Sequence, residues 1–118
     1  MDREYMTTLD KTLARYFSLN GQKSVEGSIT RVESALSFLS PAYLNDLVRV
    51  ETGKALAGYV RVKMMEFIRK QVRKEGCPLE QIAREFGLCK PRLLDILYRQ
   101  VFGHQSGDYQ VTPDYKLN

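Results

Sequence analysis

Apolar residues recur at helical spacing along most of the chain, and no segment alternates apolar and polar positions as a half-buried strand would. Near the N-terminus, Leu9, Leu13, Tyr16 and Phe17 follow the spacing i, i+4, i+7, i+8 and predict an amphipathic helix. This helix is expected to stop at Asn20-Gly21. Residues 23–27 are mostly polar and predict a polar connector. Ser28 is then expected to cap a short second helix with an apolar side formed by Ile29, Val32, Ala35 and Leu36.

A clear helix start lies at Ser40-Pro41, where a capping hydroxyl precedes a proline that needs no N–H at the first helical position. This helix is predicted to end at Thr52-Gly53, with the glycine in the left-handed conformation. Its apolar stripe comprises Tyr43, Leu44, Leu47 and Val48. We expect the whole stripe, Tyr43 included, to lie in the core.

A longer helix is predicted from Leu56 to Lys74, with Gly76 ending it. At about 100° per residue, its apolar and basic side chains separate onto two faces. The apolar face comprises Met64, Met65, Ile68 and Val72, and the basic face comprises Lys63, Arg69, Lys70, Arg73 and Lys74. The basic face is either a solvated surface or a surface close to a polyanion.

Two further helices complete the pattern. Pro78 opens a short one that Gly87 ends, and Lys90-Pro91 opens a longer one that Gly103 ends. Their inward positions are Leu79, Ile82, Ala83 and Phe86 in the first, and Leu93, Leu94, Leu97 and Tyr98 in the second.

The order of these elements is an imperfect duplication, because short helix, turn and capped helix occur twice around the long helix. The sequence therefore predicts an all-α fold with two helix-turn-helix units joined by a linker helix. The predicted segments are an N-terminal helix and connector (1–27), a first helix-turn-helix (28–53), the linker helix (54–76), a second helix-turn-helix (77–103), and a C-terminal turn and tail (104–118).

Charge is distributed unevenly along the chain. The net charge is +4, but residues 54–100 alone carry 11 basic and 5 acidic side chains. A basic surplus of this kind attracts phosphate backbones, although a solvated basic helix has the same composition.

Few residues offer catalytic or metal chemistry. Cys77 and Cys89 form no CxxC motif, and every Cys/His or Ser/His pair would have to use His104, the single histidine. We therefore expect idle thiols, no metal, no cofactor and no enzymatic activity. There is no run of about 18 apolar residues and no apolar run behind a basic N-terminus, so we expect a cytoplasmic protein without a membrane span.

The chain contains two sets of short motifs. The combined spacing of these motifs is a more specific family signal than any single motif. The first set is Ser40-Pro41-Ala42-Tyr43-Leu44, Val48-Arg49, Thr52-Gly53-Lys54 and Tyr59-Val60-Arg61. The second set is Ile82-Ala83, Phe86-Gly87-Leu88, Leu94, Tyr98-Arg99, Gly103 and Tyr109. With these motifs the chain, from Ser28 to Gln110, resembles the C-terminal DNA-binding domain of the AraC/XylS transcription regulators.

The resemblance implies two helix-turn-helix units that place recognition helices in adjacent major-groove segments on one face of the duplex. A linker of about 19 residues is about 28 Å long, close to the ~34 Å of one duplex turn. The resemblance further implies double-stranded DNA as partner, and RNA polymerase as a second one. The sequence departs from the family pattern at Leu88, Arg69 and Ser106, and by one extra residue between Ile29 and Ser40.

The positions that would face DNA follow from the same resemblance. The base-facing candidates are Ala42, Asn45 and Asp46 in the first unit, and Pro91, Arg92, Asp95 and Ile96 in the second. The phosphate-facing candidates are Arg49, Lys54, Lys90 and Arg99. Asn45 could pair with adenine or be solvated, and an aspartate could accept from cytosine N4 while weakening affinity for phosphates.

A second hypothesis belongs to another class. The groove-facing surfaces could have drifted, through Ala42, Asp46, Asp95 and Ile96, into a module that binds another protein.

The chain is either a stand-alone regulator or the C-terminal piece of a longer one with an effector-sensing domain, and we favour the piece because such a domain alone has no place to bind an effector.

Overall fold

Six α-helices make up most of residues 4–103, the part of the chain that the structure, a computed structural model, describes. They are α1 (Glu4–Phe17), α2 (Val25–Ala35), α3 (Pro41–Thr52), α4 (Leu56–Arg73), α5 (Leu79–Glu85) and α6 (Pro91–Phe102). No strand occurs within residues 4–103, so the all-α expectation is confirmed there. The predicted tail at 104–118, with His104, Ser106 and Tyr109, lies outside the described residues.

The chain divides into two units, and the division falls inside α4, between Phe67 and Ile68. The first unit contains α1, α2, α3 and the first part of α4, and the second contains the end of α4, α5 and α6. The first core includes Leu9, Leu13, Val32, Leu36, Leu44, Val48, Leu56, Val60 and Met64. The second core includes Ile68, Ile82, Ala83, Phe86, Leu97 and Val101.

Helix α1 is an integral part of the first unit, because its side chains bond to each of the other three helices or their caps. The Tyr5 hydroxyl donates to the carbonyl of Leu47 in α3 at 3.3 Å. The Tyr59 hydroxyl of α4 donates to Asp10 Oδ1 at 2.7 Å. The Tyr16 hydroxyl accepts from the backbone N–H of Ser24, just before α2, at 3.1 Å. These bonds fix α1 against the helices that carry the first candidate surface.

The start of α2 is a correction to the sequence prediction. The N-cap is Ser24, whose hydroxyl accepts from the Gly27 N–H at 2.8 Å, and the helix begins at Val25. Ser28 is instead a fully buried residue inside the helix, with its hydroxyl donating to the Ser24 carbonyl. The polar connector predicted at 23–27 is therefore partly helical, because α2 begins at Val25.

The caps of α3 confirm the prediction made from Ser40-Pro41 and Gly53. The Ser40 hydroxyl accepts from the Tyr43 N–H at 3.2 Å, and Pro41 occupies the first turn. Gly53 ends the helix with φ of 80°, a left-handed conformation that side chains with a Cβ rarely adopt. Local sequence thus determines both ends of α3 and, with them, which residues it can expose.

In the second unit, Arg69 of α4 donates to the backbone of α6. Its Nη2 and Nε donate to the carbonyl of Gln100, at 2.7 and 3.2 Å. The arginine thereby binds α4 to the last turn of α6, where a small residue would leave that carbonyl without this donor.

Candidate functional site

Helix α3 exposes one narrow face to solvent. Leu44 and Val48 are fully buried, and the residues on the opposite side are exposed: Ala42, Tyr43, Asp46, Arg49 and Val50. At about 100° per residue, Asp46 lies at the centre of this exposed arc. Ala42, Asp46 and Val50 follow one another at i, i+4 and i+8, and we call them the α3 row.

Helix α6 exposes a comparable face. Leu97 and Val101 are buried, whereas Arg92, Ile96 and Gln100 are exposed at the same i, i+4, i+8 spacing. We call these three residues the α6 row. Arg92 makes no hydrogen bond or ion pair with another residue in the described range.

The two rows occupy equivalent positions in the duplicated sequence. Both helices have 12 residues, begin with a proline and are followed by a glycine, Gly53 or Gly103. Counted from the proline, Ala42, Asp46 and Val50 correspond to Arg92, Ile96 and Gln100. Each unit therefore presents the same part of its capped helix to solvent.

Asn45 does not belong to the exposed surface. It is half-buried, and its Oδ1 accepts from the backbone N–H of Leu56 at 2.8 Å, at the first residue of α4. Since the first N–H groups of a helix lack intrahelical partners, this bond caps α4 from α3. This bond gives Asn45 a structural role in the first unit, and base contact by Asn45 stays a prediction.

Asp95 is less accessible to a base than the residues of the α6 row. Its side chain is only 19% exposed, and its Oδ2 accepts from Arg99 Nη2 at 3.2 Å, four residues on along α6. Arg99 is also half-buried, and its charge is offset by Asp95, so Arg99 is a weaker phosphate candidate than an exposed, unpaired arginine. In contrast, Asp46 is exposed and forms no ion pair within residues 4–103.

Three of the remaining candidates are exposed cations beside the rows. Arg49 lies on the exposed face of α3, Lys54 follows its C-terminal glycine, and Lys90 precedes α6. Pro91 is exposed at the first position of α6 and supplies no N–H. All four are placed beside a row rather than within it.

The basic face of α4 is less available than its sequence implies. Lys63 is half-buried and pairs with Glu66 at 3.4 Å, and Arg69 is engaged by Gln100. Lys70 and Lys74 are exposed. These contacts favour the interpretation of this face as a mostly structural and solvated surface.

Other chemistry is sparse in the part of the chain that the structure describes. No cluster of His, Cys, Asp and Glu there could hold a metal ion, and no helix there is both long and apolar enough to cross a membrane. Cys77 is half-buried with its thiol 3.6 Å from Gln71 Oε1, and Cys89 is exposed. Burial and the adjacent Asp10 carboxylate raise the pKa of Tyr59 well above its ordinary value.

Sequence reasoning missed three exposed residues that adjoin or complete the rows. Tyr43, expected in the core, is 52% exposed, so that expectation is wrong. Val50 and Gln100 were not among the candidates. Val50 and Gln100 follow Asp46 and Ile96 by four residues, and this spacing places them on the same helix face. The spacing indicates exposure only once the buried side of each helix is known.

Comparisons with protein-family models, with curated proteins and with solved structures gave no significant match to this chain.

Proposed function

We propose that the protein binds double-stranded DNA in a sequence-specific manner and regulates transcription. The observation that carries this proposal is the pair of equivalent exposed rows, each on a capped 12-residue helix whose opposite side is buried. The resemblance in sequence to the DNA-binding domain of AraC/XylS regulators supports it independently.

The dimensions of the rows suit the major groove. Residues at i and i+8 are separated by about 12 Å along a helix, which corresponds to three to four base pairs at ~3.4 Å each. The major groove is ~12 Å wide and admits an α-helix. Each row can therefore contact the edges of a short run of bases.

The charges around the rows suit the phosphate backbone. Arg49 and Lys54 flank the α3 row, Lys90 flanks the α6 row, and Arg92 lies within the α6 row. Exposed cations beside a base-contacting helix fix its register through phosphates, while the row itself supplies specificity. We further propose RNA polymerase as a second partner, action in the cytoplasm, and no cofactor or catalytic activity for this domain.

A second candidate function, protein binding through the α3 row, is favoured by one observation. Val50 is 86% exposed and Tyr43 is 52% exposed, and both lie beside the exposed Asp46 carboxylate. An apolar and acidic helix face is also suited to docking on another protein.

Selection from a pool of random duplexes distinguishes the two functions. We expect the protein to enrich a bipartite sequence, and Arg92→Glu to weaken binding to it by about tenfold or more. The matched control is Lys11→Glu, which makes the same charge change at an exposed position of α1, a helix that carries neither row, and should leave binding close to that of the parent. Transcription from a template that carries the selected sequence should respond to the parent protein.

Failure to enrich any duplex would overturn the DNA proposal and favour the protein-binding candidate. An equal loss of binding in Arg92→Glu and Lys11→Glu would show that net charge, and not the α6 row, is responsible.

A further inference from the structure

The α3 row and the α6 row occupy equivalent positions in their helices but carry different hydrogen-bonding groups. In the α3 row, Ala42 and Val50 are apolar, and the ionised carboxylate of Asp46 only accepts hydrogen bonds. In the α6 row, the Arg92 guanidinium only donates, Ile96 is apolar, and the Gln100 amide does both. The α6 row therefore has donors for the acceptor groups of a base, whereas the α3 row has none.

The major-groove edges of the four bases differ in the groups they offer. Guanine presents the acceptors O6 and N7, whereas cytosine presents an amino donor and thymine presents a methyl group. Adenine presents an amino donor and the acceptor N7. The α3 row has no donor for guanine, and its carboxylate repels acceptor oxygens, but its apolar ends match methyl groups.

Side chains at the edges of the α3 face do not restore a central donor. Tyr43 and Arg49 each lie about 60° from Asp46 around the helix. Both are exposed, and in a groove-bound helix they point towards the walls, where the phosphates lie. The centre of the face remains acceptor-only and apolar.

We infer that the protein reads an asymmetric DNA site, with the α3 half recognised through thymine methyl groups and the amino group of cytosine or adenine. The α6 half is recognised through guanine, by Arg92, with Ile96 on a neighbouring thymine methyl. This inference rests on the proposed duplex binding and specifies the bases that such binding selects. It also assigns a role to Val50, whose exposed side chain has no core contact to make.

Base analogues in the selected duplex test the inference directly. Repeating the selection with Val50→Ala and with Arg92→Ala identifies the half-site of each row, as the positions at which base preference is lost. Both side chains are exposed, so the variants should keep the fold, which circular dichroism checks. Uracil then replaces thymine, which removes only the methyl group, and 7-deazaguanine replaces guanine, which removes only the N7 acceptor.

We expect uracil at the thymine beside Val50 to weaken duplex binding by the parent protein about fourfold, the loss typical of one buried methyl group. Duplex binding by Val50→Ala should not change with this replacement. In the α6 half, 7-deazaguanine should weaken parent binding about tenfold and leave Arg92→Ala unchanged. Uracil at a thymine outside both half-sites is the control.

Two results would overturn the inference while leaving duplex binding intact. One is an α3 half-site in which guanine is selected opposite Asp46. The other is parent binding that is insensitive to uracil throughout that half-site. The absence of any enriched duplex would overturn both the inference and the proposed function.

Discussion

Asn45 and Asp95 occupy equivalent positions in the two halves of the sequence, and each uses its polar group inside its own unit. Asn45 caps α4 through the Leu56 N–H, and Asp95 pairs with Arg99 along α6. In each helix the next residue, Asp46 or Ile96, is the exposed one. One step along the sequence thus separates a structural position from a surface position.

Alanine substitutions at the neighbouring residues Asn45 and Asp46 distinguish the structural position from the surface position. Asn45→Ala should lower the free energy of unfolding by about 1 kcal/mol, since it leaves a helix N-terminus without its cap. Asp46→Ala, at an exposed position, should change it by less than about 0.5 kcal/mol. Urea unfolding monitored by circular dichroism measures both, and a larger loss in Asp46→Ala than in Asn45→Ala would contradict the assignment.

Gly27 provides a second test at the scale of single residues. A Cβ at this position would overlap the Tyr16 hydroxyl, which is on a buried ring and already accepts from Ser24. Gly27→Ala should therefore destabilise the protein by about 1–3 kcal/mol, although alanine is normally the better helix former.

The matched control for Gly27 is Gly58 in α4, where a Cβ would meet only Lys54 Cβ at 3.7 Å. Gly58→Ala should raise stability by up to about 1 kcal/mol through helix propensity. Thermal unfolding of both variants gives the comparison, and stabilisation by Gly27→Ala would show that Tyr16 does not pack against α2 as described.

At the scale of helices, the hydrogen bond from Tyr59 in α4 to Asp10 in α1 makes stability depend on alkaline pH. The pKa of Tyr59 is raised in the folded state by burial and by the Asp10 carboxylate, so the folded protein retains a proton that the unfolded chain releases above about pH 10. The stabilisation is complete below that pH and is lost progressively as pH rises further.

The free energy of unfolding should therefore fall more steeply above about pH 10 in the parent than in Tyr59→Phe, which lacks this proton. Urea unfolding at several pH values gives the two slopes. The contribution of the other tyrosines is the same in both proteins and cancels when the slopes are compared. Parallel slopes would mean that the Tyr59–Asp10 bond is absent in solution.

Helix boundaries could be predicted from sequence wherever a single cap signal stood alone. Ser40-Pro41 and Gly53 define α3 without help from the rest of the molecule. Ser24 and Ser28 are both possible caps, one helical turn apart, and the choice depends on Tyr16, which binds the Ser24 N–H from α1. That tertiary contact is not encoded in local spacing.

The candidate surface was only partly predictable for a related reason. The stripe from Tyr43 to Val48 is wide enough that periodicity does not fix its edge, and packing leaves Tyr43 outside the core. Ala42, Asp46, Arg92 and Ile96 are exposed, as base-facing residues must be, and their contact with bases stays a prediction. The bond between Asn45 and Leu56 joins residues in different helices, so no helical pattern could indicate it.

For the whole molecule, duplex binding requires that the exposed cations act together on the phosphate backbone. The net charge is +4, and the surplus lies in residues 54–100, which include Lys54, Lys90 and Arg92. The acidic side chains do not cancel this surplus at the α6 row, because Asp95 is paired with Arg99.

The most direct test of duplex binding is the dependence of the dissociation constant on salt, measured by fluorescence anisotropy with the selected duplex. Each phosphate neutralised by a cation contributes about −0.9 to the slope of log K against log salt concentration. Arg49, Lys54 and Lys90 together predict a slope near −3, or about 40-fold weaker binding between 50 and 200 mM salt. A slope close to zero, or no measurable binding at the lower salt concentration, would contradict the account.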